Sequence, residues 1–135
     1  MRINSNVSLF LIIPIVSLIL MSGCKKDEQP TQTELLCHEW RIVHTYSEDQ
    51  TNLIEFNIGF EMTLNFTANK QAVVSSNNQT ETGAWSWASG EKSIIIQTSS
   101  GQINMEVQKL TDQEFWYRFL SGSGNYCIYK CERIN

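Results

Sequence analysis

The sequence predicts an all-β protein, either a closed meander barrel or a sandwich, in the part of the chain that follows residue 34. Apolar and polar residues alternate there. In residues 60–66, for example, the intervening Glu61, Thr63 and Asn65 are all polar. This period of two is typical of half-buried antiparallel strands and does not fit a helix. Turn-forming residues separate the runs at close, even spacing, which indicates eight strands.

The first predicted strand covers residues 37–46. One of its faces carries Trp40, Ile42, His44 and Tyr46, and the other carries Glu39, Arg41, Val43 and Thr45. The other seven strands are predicted at residues 60–66, 71–75, 82–88, 93–98, 102–110, 114–120 and 125–133.

Residues 47–58 interrupt this rhythm. They begin with Ser-Glu-Asp-Gln at residues 47–50, which has the order of a helix capping box. The apolar residues that follow do not decide between a helical turn and an irregular loop. We therefore predict a longer connection between the first two strands, which either closes one end of the barrel or packs on its outside.

The first 23 residues have the pattern of a signal peptide. Arg2 supplies a positive charge, and residues 7–21 form a nearly unbroken apolar run that is short for a membrane span. The order Met-Ser-Gly-Cys at residues 21–24 resembles the lipobox of bacterial lipoproteins, in which the cysteine carries the lipid. We therefore predict a signal peptide at 1–23, lipidation (palmitate among the acyl chains) at Cys24, a flexible tether at 24–34 and a barrel domain at 35–135. A transmembrane anchor is the alternative.

The charges after Cys24 predict the location of the protein. Lys-Lys-Asp-Glu at residues 25–28 lacks the aspartate that retains lipoproteins in the inner membrane, and it is similar to the export signal of lipoproteins from the Bacteroides group. We expect a lipid anchor in the outer membrane, with a periplasmic or surface-exposed domain; the alternative is a solvated charge run that sorts nothing. Without residues 1–23 the formal charge changes from −4 to −5, and no basic stripe is present. Nucleic acid is therefore not an expected partner.

A series of short motifs resembles bacterial lipocalin-like domains. These motifs are Leu-Leu-Cys-His-Glu-Trp at 35–40, Met-Thr-Leu-Asn-Phe at 62–66, Gly-Ala-Trp-Ser-Trp at 83–87 and Val-Gln-Lys-Leu-Thr at 107–111. His38 stands where a glycine is usual in the family. Arg133 is the candidate for the arginine that covers the strand-one tryptophan in lipocalins. The resemblance covers nearly all of residues 35–133. It implies a small up-and-down eight-stranded antiparallel β-barrel and ligand binding.

The contents of the barrel decide whether it can bind a ligand. An eight-stranded barrel is either filled by its own side chains or holds one small molecule. The aromatic residues predicted to point inward are Trp40, Phe60, Phe66, Trp85, Trp87, Tyr117 and Phe119. They favour a packed core or a small cavity, with Ala72, Gly83 and Ala84 as the residues that would make room.

Two functions follow from this reading. The first is weak binding of a small apolar molecule in or at the barrel mouth, with Trp40, Trp85, Trp87, Tyr117 and Phe119 as candidate ligand-binding residues. The second is a filled barrel that acts as a surface protein-interaction or structural module. Trp116 and Leu120 alternate with the inward residues of the strand at 114–120, so the face around Trp116 is the candidate protein contact.

Cysteine and histidine spacing bears on disulfides, metals and catalysis. Cys127 and Cys131 lie about 13 Å apart along one strand and cannot pair. The first and last strands of a closed meander are neighbours, which favours a Cys37–Cys131 disulfide; three separate thiols are the alternative. His38 and His44 lie about 20 Å apart and cannot share a metal. We predict no metal site, no cofactor and no enzymatic activity.

Overall fold

The predicted alternation builds a single antiparallel sheet in the computed structural model, which describes residues 28–49 and 52–135. The signal peptide, Cys24 and the first part of the tether lie outside the described residues. The described elements are α1 (Gln32–Leu36), β1 (Glu39–Asp49), β2 (Asn52–Phe56), β3 (Met62–Phe66), β4 (Gln71–Ser76), β5 (Gln79–Ala88), β6 (Ser93–Thr98), β7 (Gln102–Leu110), β8 (Glu114–Leu120) and β9 (Tyr126–Arg133).

The sheet closes into a barrel. From β3 to β9 each strand pairs antiparallel with the next one in the chain, and β1 pairs with both β3 and β9. Eight strands, β1 and β3 to β9, therefore form a closed up-and-down barrel, and β2 is an additional strand. The predicted class, a small eight-stranded antiparallel β-barrel, is confirmed.

The segment predicted as a helical turn or loop is a β-hairpin. β1 continues to Asp49, and β2 pairs with its second half, from Thr45 opposite Phe56 to Asp49 opposite Asn52. The capping-box reading is wrong because Glu48 lies in a strand, where its carboxylate accepts a hydrogen bond from Arg118 at 2.7 Å. Within the described residues, this segment is therefore the end of β1 and the strand β2, not a helical turn or an irregular loop.

A β-bulge changes which residues of β1 face the core. In the pairing with β9, Ile42 lies opposite Cys131 and His44 opposite Lys130, so Val43 is the extra residue. One inserted residue reverses the in–out alternation that follows it. The predicted shared face of Trp40, Ile42, His44 and Tyr46 is therefore wrong beyond Ile42: Thr45 is 3% exposed, whereas His44 is exposed.

The helix α1 closes one end of the barrel. Thr31 caps it, and Glu34 completes a capping box, so residues 31–34 are ordered at a helix start and do not belong to a flexible tether. Leu36 is fully buried, and its carbonyl oxygen accepts a hydrogen bond from Trp40 Nε1 at 2.9 Å. Within residues 28–49 and 52–135, no helix is long and apolar enough to cross a membrane.

Candidate functional site

The half of the barrel next to α1 is filled by aromatic rings. Trp40, Phe66, Trp85 and Phe115 are all buried, and their ring centroids lie 5.7 to 6.0 Å from the nearest neighbour in the group. Edge-to-face contacts at this distance are typical of a packed aromatic core. The structure therefore places Trp40 and Trp85, two of the candidate ligand-binding residues, in the core.

Trp87 lies at the closed end of the barrel. Its indole Nε1 donates a hydrogen bond to Thr33 Oγ1 of α1 at 3.0 Å, and its ring packs against Trp85. Phe119 is near the opposite end, because β5 ends beside α1 whereas β8 begins there. The structure therefore does not bring Trp87 and Phe119 together at one site. Phe60 is 39% exposed and precedes β3, so its predicted inward position is wrong.

The other end of the barrel, here called the mouth, has a half-buried aromatic wall from β8 and β9. Tyr117 is buried, while Phe119 and Tyr129 are half-buried. The rings of Phe119 and Tyr129 stack with centroids 5.0 Å apart, and Tyr129 lies 5.3 Å from Tyr117. Other half-buried apolar side chains pack against the core from the remaining strands, among them Ile42, Met62, Val74 and Ile103.

The polar groups in this wall are neutral. Burial raises the pKa of Tyr117 well above its usual value and also raises the pKa of Tyr129. Both hydroxyls therefore keep their protons at physiological pH. Cys127 also lies on the inner side, opposite Phe119 in β8, and burial raises the pKa of its thiol. The mouth thus offers an apolar and uncharged surface on this side.

The predicted Cys37–Cys131 disulfide is wrong, since Cys37, Cys127 and Cys131 are all free thiols. The register explains this result. Cys131 faces Ile42 of β1, which is five residues further along the chain than Cys37. Cys37 is the C-cap of α1, outside the paired part of β1. Neighbouring strands alone did not fix which residues of those strands are opposite each other.

A cleft of about 430 Å³ opens in the barrel wall beside the mouth. It lies where β1 leaves β3 and pairs with β2, and its lining residues are Ile42, Val43, His44, Thr45, Glu55, Phe56, Asn57, Ile58 and Phe60. Sequence reasoning missed this feature. Ile54, Phe56 and Ile58 alternate with Glu55 and Asn57, and that pattern could have identified β2 and the wall beside it.

Trp116 lies on the outer face of β8, on the side opposite the aromatic wall. Lys109 and Lys130 place their ammonium groups 5.6 and 5.3 Å from its ring, and Glu114 forms ion pairs with both lysines. The indole Nε1 is buried without a hydrogen-bond partner within the described chain. Leu120, on the same face, is 57% exposed. The predicted contact of this face with a protein stays a prediction.

Arg133, the candidate cover for the strand-one tryptophan, lies directly opposite Trp40 in the pairing of β1 with β9. The register therefore allows the role that the lipocalin resemblance implies. The backbone carbonyl oxygen of His38 accepts a hydrogen bond from the Phe66 amide of β3 at 3.1 Å. The lipocalin assignment itself stays a prediction.

No family model matches the sequence, and no curated protein gives a significant match. Solved structures do match. A de novo designed fluorescence-activating β-barrel has a TM-score of 0.50 and 14% sequence identity, with 78% of this chain and 100% of that chain covered. A redesigned β-barrel has a TM-score of 0.47 and 12% identity, with 77% and 96% covered. At such identities the first similarity shows the fold alone.

Proposed function

We propose that this chain is a lipid-anchored, lipocalin-like protein of the cell envelope that binds a small apolar molecule weakly at the open mouth of its barrel. The observation that carries the proposal is the difference between the two ends. One end is sealed by α1 and by fully buried rings, whereas at the other end the stacked rings of Phe119 and Tyr129 are only half-buried, beside further partly buried apolar side chains. An apolar surface held open at one end of a rigid barrel is suited to a small ligand.

The expected affinity is low because the ligand would be only partly buried. Covering about 150 Å² of apolar ligand surface contributes roughly 4 kcal/mol at the usual coefficient. Association costs at least about 4 kcal/mol in lost translational and rotational freedom. The aromatic core below the mouth leaves no deep site to add to this contact. Because the two terms nearly cancel, we expect dissociation constants poorer than micromolar. We also propose no haem or metal uptake and no catalysis.

The proposed anchor would hold the mouth away from the membrane. Six residues lie between Cys24 and the helix cap Thr31 at the closed end, and the seven steps along the chain reach at most about 25 Å when fully extended. β1 has 11 residues, which at the usual rise and barrel tilt span about 28 Å along the barrel axis. The mouth would then face the aqueous compartment.

Titration with the neutral dye N-phenyl-1-naphthylamine tests the ligand proposal. We expect a weak, saturable rise in dye emission that is lost on Phe119→Ser. Leu120→Ser is the matched control, because Leu120 is the next residue of β8 and points outward. Equal binding by both variants and the unchanged protein would contradict a site at the mouth. Replacing Cys24 with Ser tests the anchor separately: labelled palmitate should no longer be incorporated, and continued incorporation would refute it.

A second candidate function is supported by one specific surface. Tyr126 and Leu120 are 40% and 57% exposed and lie directly opposite each other on the outer face. Leu53, 56% exposed, continues the same row beyond Glu48, which is opposite both Leu53 and Tyr126. Adjacent exposed apolar residues favour contact with another protein. If this row is the functional surface, dye binding will be absent and Leu120→Ser will abolish the interaction instead.

A further inference from the structure

We infer that the cleft between β1 and β2 is the part of the ligand site that selects the ligand, and that it favours a small amphiphile with a neutral or positively charged hydrogen-bonding end over one with a carboxylate. This inference rests on the proposed function. It adds a location beside the mouth and a preference for the polar end of the ligand.

The cleft exists because one edge of β1 has two successive partners. β3 pairs with β1 at Glu39–Arg41, and β2 pairs with it from Thr45 onward. Between these pairings, residues 57–61 leave the sheet, and no backbone hydrogen bond joins them to residues 42–44 across this part of the described chain. The backbone of β1 is therefore open to a ligand at this gap, where strand edges readily accept hydrogen bonds from other molecules.

The two sides of the gap have different chemistry. Residues directly opposite each other in an antiparallel pair share a face. Phe56 is opposite the buried Thr45 and so lies on the inner face with Ile42, where 36% of its surface is exposed, whereas Glu55 is opposite Tyr46 and lies on the outer face with His44. The cleft thus passes from an apolar inner side, continuous with the mouth, to a polar outer rim. An amphiphile can place its apolar part inside and its polar end at the rim.

The rim carries an acidic group that can select this polar end. The His44 ring is hydrogen bonded through Nδ1 to Oε1 of Glu55 at 2.5 Å, and within the described chain Oε2 of Glu55 makes no hydrogen bond. His44 is the one basic side chain in contact with Glu55 within the described chain, and it takes only Oε1; the other nearby cations are paired elsewhere, Arg41 with Glu61 at 3.0 Å and Lys130, opposite His44, with Glu114 at 3.4 Å. The free carboxylate oxygen would accept from an amine or a hydroxyl and repel a carboxylate.

Three probes with the same alkyl chain test this selectivity: decylamine, decanol and decanoate, each below its micelle concentration and measured by isothermal titration calorimetry. The protein is the mature chain, residues 24–135, with Cys24→Ser to prevent lipidation; it contains every described element. We expect decylamine to bind roughly five- to tenfold more tightly than decanoate, as attraction to one partly exposed carboxylate and repulsion from it would give. Glu55→Gln should reduce this ratio to about twofold or less.

Two substitutions on β2 locate the apolar contact. Phe56→Ala should weaken all three probes about fivefold, while Leu53→Ala, a change of an exposed residue on the outer side of the same strand, should leave them unchanged. Equal affinity for decylamine and decanoate, or equal losses from both substitutions, would overturn the inference. If Phe119→Ser abolishes binding and Phe56→Ala does not, the inference fails while the mouth site stands. If no probe and no dye binds the unchanged chain, the proposed function fails as well.

Discussion

Among the glycines of the described chain, Gly83 is the one where an added Cβ would meet other atoms, and Gly83→Ala is expected to destabilise the barrel. Gly83 lies in β5, opposite Ala72 of β4 and Thr98 of β6. A Cβ atom built on Gly83 would be 2.5 Å from the Gln97 carbonyl oxygen and 2.9 Å from Thr98 Cγ2. Ordinary contacts begin at 3.4 Å, so the Gln97 oxygen is about 0.9 Å too close. Because that oxygen belongs to the backbone of β6, the strands themselves must move apart.

Two opposing terms set the size of the effect. Overpacking a well-filled core usually costs about 1–3 kcal/mol. Replacing glycine by alanine recovers about 0.4–1 kcal/mol, because the unfolded chain loses conformational freedom. We therefore expect the free energy of unfolding to fall by about 1–2 kcal/mol. In a domain of about 100 residues, each kcal/mol lowers the melting temperature by about 4–8 °C.

Urea unfolding followed by tryptophan emission measures this difference, with Trp85 two residues away as a local reporter. Gly122→Ala is the matched control, because a Cβ at Gly122 has no atom within 4 Å and its backbone conformation is not left-handed. The control should change the free energy of unfolding by less than about 0.5 kcal/mol. A Gly83→Ala protein as stable as the control would refute the close approach of β5 and β6 at this residue.

Three further results are expected. Thiol counting on residues 24–135 with Cys24→Ser, denatured without reductant, should find three reactive thiols, and Cys131 should be unreactive before denaturation. A count of one would show that two of the cysteines form a disulfide. Trp40→Phe should lower the free energy of unfolding by about 1–3 kcal/mol, because it removes a hydrogen bond and buried volume. Trp116→Phe removes a donor without a partner and should lower it by less than about 0.5 kcal/mol. The reverse order would contradict the hydrogen bonding described for both side chains. Burial raises the pKa of Cys131 and Tyr117 in the folded chain, so above about pH 9 these groups ionise more readily in the unfolded chain than in the folded one. The free energy of unfolding should therefore fall as the pH rises above about 9. Equal urea midpoints at about pH 8 and pH 10 would contradict this.

The strands could be predicted from the sequence because their alternation is a local property. Leu64 and Phe66 are buried, and the polar residues that precede each of them, Thr63 and Asn65, are not, as the pattern in this strand predicts. The number and spacing of such segments predicted an all-β fold, either a closed barrel or a sandwich. The resemblance to lipocalin-like domains chose the barrel over a sandwich.

Features that depend on register could not be read from the sequence. The bulge at Val43 is one inserted residue, and it reverses the faces of His44 and Thr45 without any local signal. The same uncertainty in register produced the wrong disulfide partner for Cys131. The position of a side chain along the barrel axis also depends on strand pairing and not on the local sequence. Sequence reasoning therefore placed Trp87 at the mouth, although its indole is hydrogen bonded to Thr33 of α1 at the closed end.

The amide chemical-shift map of the isotopically labelled mature chain, titrated with N-phenyl-1-naphthylamine, tests the central claim most directly. If a small apolar molecule binds at the open end of an otherwise filled barrel, saturable shifts will concentrate at Phe119, Tyr129 and Ile103, and the amides of Leu36 and Trp87 at the sealed end will not move. The claim is contradicted if no amide shows a saturable shift, or if the shifts concentrate at the sealed end or around Trp116 on the outer face.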